Sequence, residues 1–316
     1  MKKYIAIRLF NIVATLFIIA TATFFLMKQL PGSPFDEEKL AALPDDVRKQ
    51  IYAQYGLDKP LFEQYVTYME NLIKGDLGES FYYKNQAIID ILNIRIGPSM
   101  LLGFQAILLG TAIGLSLGII AAFRHNTFWD YTTMFIAVLG VSIPNFVFAA
   151  LLQYFVGVKW GILPIAYWEN YKSTIMPSLA LAFGVIAVVA RFTRNEMLEV
   201  LNQDYIETAQ AKGISTLSII YKHAIRNALI PVITILGPVI VSLITGSLVI
   251  EEIFSIPGIG SLFVDSIKMN DYTMIMAVTL LFSALFVFMI LIIDLLYGVI
   301  DPRIRVAGRK ELSHDK

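Results

Sequence analysis

No cysteine occurs in the chain, so disulfides, thiol catalysis and cysteine-ligated metal are all excluded. Histidine is almost as scarce: His125, His223 and His314 stand far apart, with no metal-ligand spacing among them. The sequence has no Gly-x-x-x-x-Gly-Lys-Ser/Thr phosphate loop, and with it goes ATP binding of that kind by this chain. It also lacks a His-Glu-x-x-His helix. No catalytic constellation is therefore expected, and no cofactor bound by the chain itself. Charge is the other shortage. Charged residues are 16% of 316, where a soluble domain carries roughly a quarter. With a formal net charge of zero there is no basic footprint for nucleic acid.

Apolar residues take the place of the missing charge: 57% of the chain is hydrophobic and mean hydropathy is +0.67. They fall in runs of about twenty residues, the length that crosses a bilayer. The expected fold class is an all-α polytopic membrane protein with six transmembrane helices, at 9–27, 99–123, 131–158, 174–192, 229–250 and 272–297. The first run is too long for a signal-peptide core and is read as a retained span. Pro144 beside Asn145 predicts a kink or break in the third span. Residues 30–97 form a polar, acid-leaning segment with helical patterning at 45–55 and 61–73 and breaks at Gly56 and Gly75–Gly78. The chain thus divides into 1–29, an N-terminus with the first helix; 30–97, a small helical extracytoplasmic subdomain; 98–300, a five-helix core; and 301–316, a tail. Lys and Arg gather at the N-terminus, at Arg124, between Arg191 and Arg226 and in the tail, which places both termini in the cytoplasm of a multi-pass cell-membrane protein.

Ionisable residues are sparse within the spans. Asp294, Glu251 and Glu252 lie near span ends, where interfacial solvation or capping accounts for them more readily than an ion relay. That sparseness counts against a proton- or sodium-coupled carrier. It suits a pathway that shields a substrate while another protein supplies energy. Neutral polar residues remain as candidates to line such a pathway: Ser142, Asn145, Gln153 and Thr245, with Gln105 and Ser247 beside them. Asn145 stands out because a broken helix exposes backbone groups that can line a cavity. Gly103, Gly110, Gly114 and Gly118 recur on one face of the second span and favour close helix–helix packing.

The longest polar stretch of the C-terminal two-thirds runs from Asp204 to Pro231 and is built like two short helices. Asp204 and Glu207 have capping-box spacing. Gly213 suits a left-handed helix end, Ser215 a second N-cap, and Pro231 the first turn of the next helix. From the residues alone the pair is either an amphipathic connector on the bilayer or a docking element for a soluble partner.

Glu207-Thr208-Ala209 followed by Gly213 resembles the cytoplasmic loop of bacterial ABC importer permeases, whose pattern is Glu-Ala-Ala, three residues, Gly, then a later Ile-x-Leu-Pro. Here the proline arrives about five residues late, at Pro231 within His223-Ala-Ile-Arg-Asn-Ala-Leu-Ile-Pro231, which is similar to the dipeptide/oligopeptide permease branch. Leu30-Pro-Gly-Ser-Pro34, Tyr55-Gly-Leu-Asp-Lys-Pro60, Gly75-Asp-Leu-Gly78, Phe254-Ser-Ile-Pro-Gly-Ile-Gly260 and Asp301-Pro-Arg303 resemble that branch too, in the same order along nearly the whole chain. The resemblance implies a type I permease fold paired with a second, homologous permease subunit. It implies two ATPase subunits inside the cell, carrying ATP-Mg, and an extracytoplasmic substrate-binding protein outside. Coupling helices at about 204–228 would sit against an ATPase through Glu207, Thr208, Ala209 and Gly213, with Glu207 completing a cap, pairing with a basic group, or both. The implied function is import of oligopeptides or dipeptides. Nickel or glutathione import is a variant of the same branch, and a standalone channel or secondary carrier is a reading of another class.

Overall fold

The computed structural model describes residues 2–30, 35, 40, 42–54, 56–83, 86–220 and 224–300. Parts of the strings beginning at Leu30, Tyr55 and His223, and the whole tail 301–316, lie outside the described residues. The helices are α1 (Lys2–Gln29), α2 (Asp45–Gln54), α3 (Leu61–Ile73), α4 (Ile88–Phe123), α5 (Phe128–Ser142) and α6 (Asn145–Leu152). They continue as α7 (Ile175–Leu201), α8 (Asp204–Ala211), α9 (Thr216–Ile219), α10 (Ile225–Ile253), α11 (Ile259–Lys268) and α12 (Tyr272–Ile300). Among the described residues only an isolated bridge, Glu79 to Ala87, departs from an all-helical plan.

Ala6–Gln29, Ile88–Phe123, Tyr171–Leu201 and Tyr272–Leu295 are each long and apolar enough to cross a membrane. α5 and the continuous stretch Asn145–Lys159 make a fifth such span only if counted together, because they meet at a bend of 105°. The expected break at Pro144 is therefore present, and it is sharp. Pro144 caps α6 from an extended backbone, while Ile143 ends α5 with its amide still bonded to the Leu139 carbonyl. The expected fifth span lies within α10, whose shorter apolar run 227–240 does not qualify alone, so six spans are not reached among the described residues.

Several boundaries differ from the sequence reading. α4 begins at Ile88, well before the expected 99, and runs through Pro98. The cause is apolar spacing: Ile88, Ile91 and Leu92 recur at helical intervals and are buried together. α7 continues past 192 to Leu201 because Thr193 and Met197 extend its buried stripe. The segment 251–271, expected as a loop, contains α11, whose Ile259, Leu262 and Ser266 face inward at helical spacing. Pro231 lies inside α10 rather than in its first turn. There it forfeits one backbone bond, a defect that membrane helices accommodate when neighbours re-satisfy the freed carbonyl.

The chain forms two compact units, residues 1–98 with 257–287 and residues 99–256 with 288–316. In the first, α4's opening turns pack with α11 and α12 through Ile88, Ile91, Leu92, Leu262, Met274 and Val278. Asp271, fully buried, holds this unit's turn 79–83 to the start of α12. Its carboxylate accepts from the Ser80 hydroxyl, from the amides of Phe81 and Tyr82 at 3.2 Å each, and from the Met274 amide at 3.2 Å.

The second unit is built around α7, of whose spanning window 67% is buried, against 11% for the window of α1. Glycines let neighbouring helices approach it. A side chain at Gly110 would lie 2.5 Å from Val185 Cβ, one at Gly114 2.8 Å from Val189 Cβ, and one at Gly118 2.6 Å from the Ala190 carbonyl. Gly140 of α5 is equally confined, 2.6 Å from Ala187 Cβ. The expected packing stripe on α4 thus exists from Gly110 onward. Gly103 is no part of it, with nothing within 4 Å.

Candidate functional site

The polar stretch after α7 is two short helices, as its residues suggested, but its start is built differently. Gln203, extended, occupies the N-cap of α8 with no side-chain bond, and its carbonyl accepts from the Ile206 amide at 2.9 Å. The capping box of Asp204 and Glu207 therefore does not form: the helix begins one residue too early for that pairing. Both carboxylates instead stand in the first turn, where the positive end of the helix dipole favours them.

The end of α8 follows the expectation. Gly213 adopts φ +73, a left-handed conformation that costs glycine little. Its amide donates to the Gln210 carbonyl at 2.9 Å and the Ile214 amide to the Ala209 carbonyl at 3.2 Å, which is the paired bonding of a Schellman motif. α9 then starts immediately after Ser215.

Ile206 and Ala209 lie three residues apart on the inner face of α8 and are buried with Ile219. Ala209 therefore gives close approach within the chain, between α8 and the segment after it. Glu207, Thr208 and Gly213 are exposed. Thr208 returns its hydroxyl to the Asp204 carbonyl at 2.9 Å. The Glu207 side chain has no hydrogen bond or ion pair among the described residues, so its carboxylate is presented outward from a helix whose ends are fixed. One side-chain bond ties α8 to α10: Asn227 Nδ2 donates to the Tyr205 hydroxyl at 2.9 Å. Beside it Ala122, Met197, Ile220, Ala224 and Ala228 form a buried apolar patch that joins the ends of α4 and α7 to the segment after α9.

One turn before Met197 on α7 stands a site that sequence reasoning missed. Arg194 donates from Nε to Asp130 Oδ1 at 2.6 Å and from Nη2 to Oδ2 at 2.9 Å. The Asn126 amide donates to Oδ2 at 3.0 Å, and His125 Nδ1 lies 3.0 Å from the same oxygen. Asp130 is only 1% exposed, so this is a buried carboxylate answered by a fork of two charge-assisted bonds. The one available signal was an acidic residue at the head of an apolar helix. Its partner lies 64 residues away, beyond the reach of local spacing.

The candidate pathway residues occupy different settings. Ser142 is exposed at the end of α5. Asn145 is half-buried at the head of α6, where its side chain faces Gly184 of α7: a Cβ there would be 3.4 Å from Asn145 Oδ1. Gln153 is a tether, its Nε2 donating to the Ile165 and Ile253 carbonyls at 3.0 Å each. It begins a π-helical stretch, Gln153–Lys159, of a kind often found at functional sites. The side chains of Thr245 and Ser247 lie outside the described residues. Gln105 accepts from the Ser178 hydroxyl at 2.7 Å and so ties α4 to α7. No cluster able to hold a metal ion occurs among the described residues.

Known proteins resemble the chain along nearly its whole length. The model of the family described as binding-protein-dependent transport system inner membrane component matches residues 114–306, and the model for the N-terminal part of such components matches 1–88. A dipeptide transport system permease protein of Lactococcus lactis is 45% identical over 97% of this chain and 100% of its own length. One from Bacillus subtilis is 46% identical over 97% and 99%. An oligopeptide transport system permease protein of Haemophilus influenzae is 43% identical over 96% and 100%. Among solved structures, the MetNI methionine ABC transporter in an inward-facing form matches with a TM-score of 0.56 at 17% identity, over 67% of this chain and 97% of that one. An amino acid ABC transporter matches at 0.53 and 15%, over 66% and 93%. At those identities the likeness concerns the fold.

Proposed function

The chain belongs to the family of binding-protein-dependent transport system inner membrane components, and from that membership we propose that it is the permease subunit of an importer for dipeptides or oligopeptides. The dipeptide and oligopeptide permeases that match it end to end support that substrate class. In this reading it forms half of a translocation pathway beside a second, homologous permease subunit. Two ATPase subunits, carrying ATP-Mg, dock on its cytoplasmic side, and a binding protein delivers peptide from outside. Both termini and the stretch 204–231 are cytoplasmic.

The observation that carries the coupling role is α8 itself. It is a short helix with a defined stop, its inner face buried against α9 and its first turn bonded to Asn227 of α10, and it presents Glu207 and Thr208 outward. A rigid element displaced by an ATPase passes that displacement to the helices it is joined to. Glu207, free of the cap, is available to a basic group on the ATPase.

The test is made in the assembled membrane complex with Glu207→Arg and, separately, Gly213→Leu. Gly213→Leu forces a branched side chain into a left-handed conformation, at a cost of about 1–2 kcal/mol. Both variants should insert normally and lose ATPase co-purification or ATP-dependent peptide uptake by about tenfold or more. Uptake that survives both changes, with the ATPase still bound, would make the stretch a connector. Uptake by this chain with no ATPase present would favour a standalone carrier. Competition by dipeptide, longer peptide, glutathione or nickel then assigns the substrate.

A further inference from the structure

The fork that half-buried Arg194 closes on buried Asp130 is poorly explained as a stabilising device. Charges removed from water commonly do no better than a well-packed apolar pair of similar volume. A bidentate pair does something an apolar contact does not: it fixes the relative orientation of the two elements that carry it, as well as their separation. Here those elements are α5 and α7. The Asn126 amide reinforces the grip from the loop before α5, with its residue at φ +58.

The fork's position along both helices gives it meaning. α5 lies along α7, burying Thr133 and Ala137, and two contacts bracket that face. Near its end, Gly140 is pressed against Ala187 and the Phe183 carbonyl. At its start, Asp130 is gripped by Arg194. Beyond Gly140 comes the 105° bend into α6, where Phe148 stacks on Phe183 with ring centroids 4.0 Å apart and Asn145 faces Gly184. One turn past Arg194 comes Met197, which is buried with Ile220, the residue directly after the helix α9 that α8 packs against. The glycine contact sets how closely the two helices lie, and the fork fixes their register at the other end.

We propose that Asp130 and Arg194 form a transmission clamp, a positioning pair that makes α5 follow α7, so that displacement of α8 is delivered to the break between α5 and α6. The inference rests on the ATPase-docking reading of α8. The clamp stays closed throughout the transport cycle, and the bend at Ile143–Pro144 is the place that yields. Without the clamp, α7 moves and α5 lags, and ATP is hydrolysed with little peptide moved.

The readout is peptide taken up per ATP hydrolysed by the reconstituted complex, a ratio that reduced yield or stability does not alter. Asp130→Asn removes the charge while keeping the shape. The double variant Asp130→Leu/Arg194→Met keeps the site packed without an unpaired buried charge, which guards against simple misfolding. Both should assemble and hydrolyse ATP, with the ratio lowered about tenfold. Because the chain has no cysteine of its own, Asp130→Cys/Arg194→Cys can be bridged selectively within it by a short bis-thiosulfonate reagent. The unbridged pair should be uncoupled and the bridged pair should recover most of the wild-type ratio. An unchanged ratio in the Asn or the apolar variant overturns the proposal. So does a bridge that blocks uptake, which would mean that the joint opens in each cycle. Failure of the wild-type complex to show ATP-dependent uptake would instead overturn the importer reading.

Discussion

Glycines about four turns apart on α4 make opposite demands on a side chain. A Cβ at Gly118 would sit 2.6 Å from the Ala190 carbonyl and 2.6 Å from Thr193 Cβ, and backbone cannot retreat as a flexible side chain can. Gly118→Ala should therefore destabilise the protein by about 1–3 kcal/mol. Gly103→Ala meets nothing within 4 Å. It should be neutral or stabilising by up to about 1 kcal/mol, because alanine is the better helix former. Thermal melting of the detergent-solubilised chain distinguishes them; equal effects would mean that α4 and α7 do not pack at Gly118. The recurrence of glycine made a packing face readable in the sequence. Which glycines are covered was not, since the covering residues belong to α7, far along the chain.

Between elements, buried polar side chains set positions that apolar contact leaves loose. Asp271 receives the Ser80 hydroxyl and the amides of Phe81, Tyr82 and Met274, so it both caps α12 and pins the turn 79–83. Asp271→Ala leaves those donors unanswered and should cost about 1–3 kcal/mol. Limited proteolysis of the membrane-embedded chain should then cut between Glu79 and Tyr83 markedly faster, with Asp271→Asn intermediate; an unchanged rate would show that the turn is held by other contacts. Helix ends were legible only in part. Gly213 announced its stop because few residues tolerate its conformation, whereas Asp204 suggested a cap that Gln203 takes. The sequence could show which residues are able to cap, but the backbone's point of departure from the helix selects among them.

For the molecule as a whole, the orientation inferred from Lys and Arg can be checked directly in a chain without cysteine. Arg124→Cys and Tyr171→Cys place single thiols at exposed positions on either side of the broken span. A membrane-impermeant maleimide added to intact cells should label Tyr171→Cys and leave Arg124→Cys unlabelled until the membrane is opened. The reverse pattern would invert the topology and put α8 on the wrong side for an ATPase.

Membrane residence, helical class and family were determined by the sequence alone. The first two follow because runs of apolar residues too long for an ordinary soluble core leave a bilayer as their solvent, in which helices satisfy their own backbone bonds. The break at Pro144 and the stop at Gly213 were equally local, each set by what a single residue permits at φ or at its amide. Tertiary structure alone decided that α7 is the axis of its unit, that Ala209 turns inward while Glu207 stays outward, and that Arg194 closes on Asp130. Each of these is a meeting of residues whose separation in sequence carries no periodic signal, settled by which faces the packed helices leave next to one another.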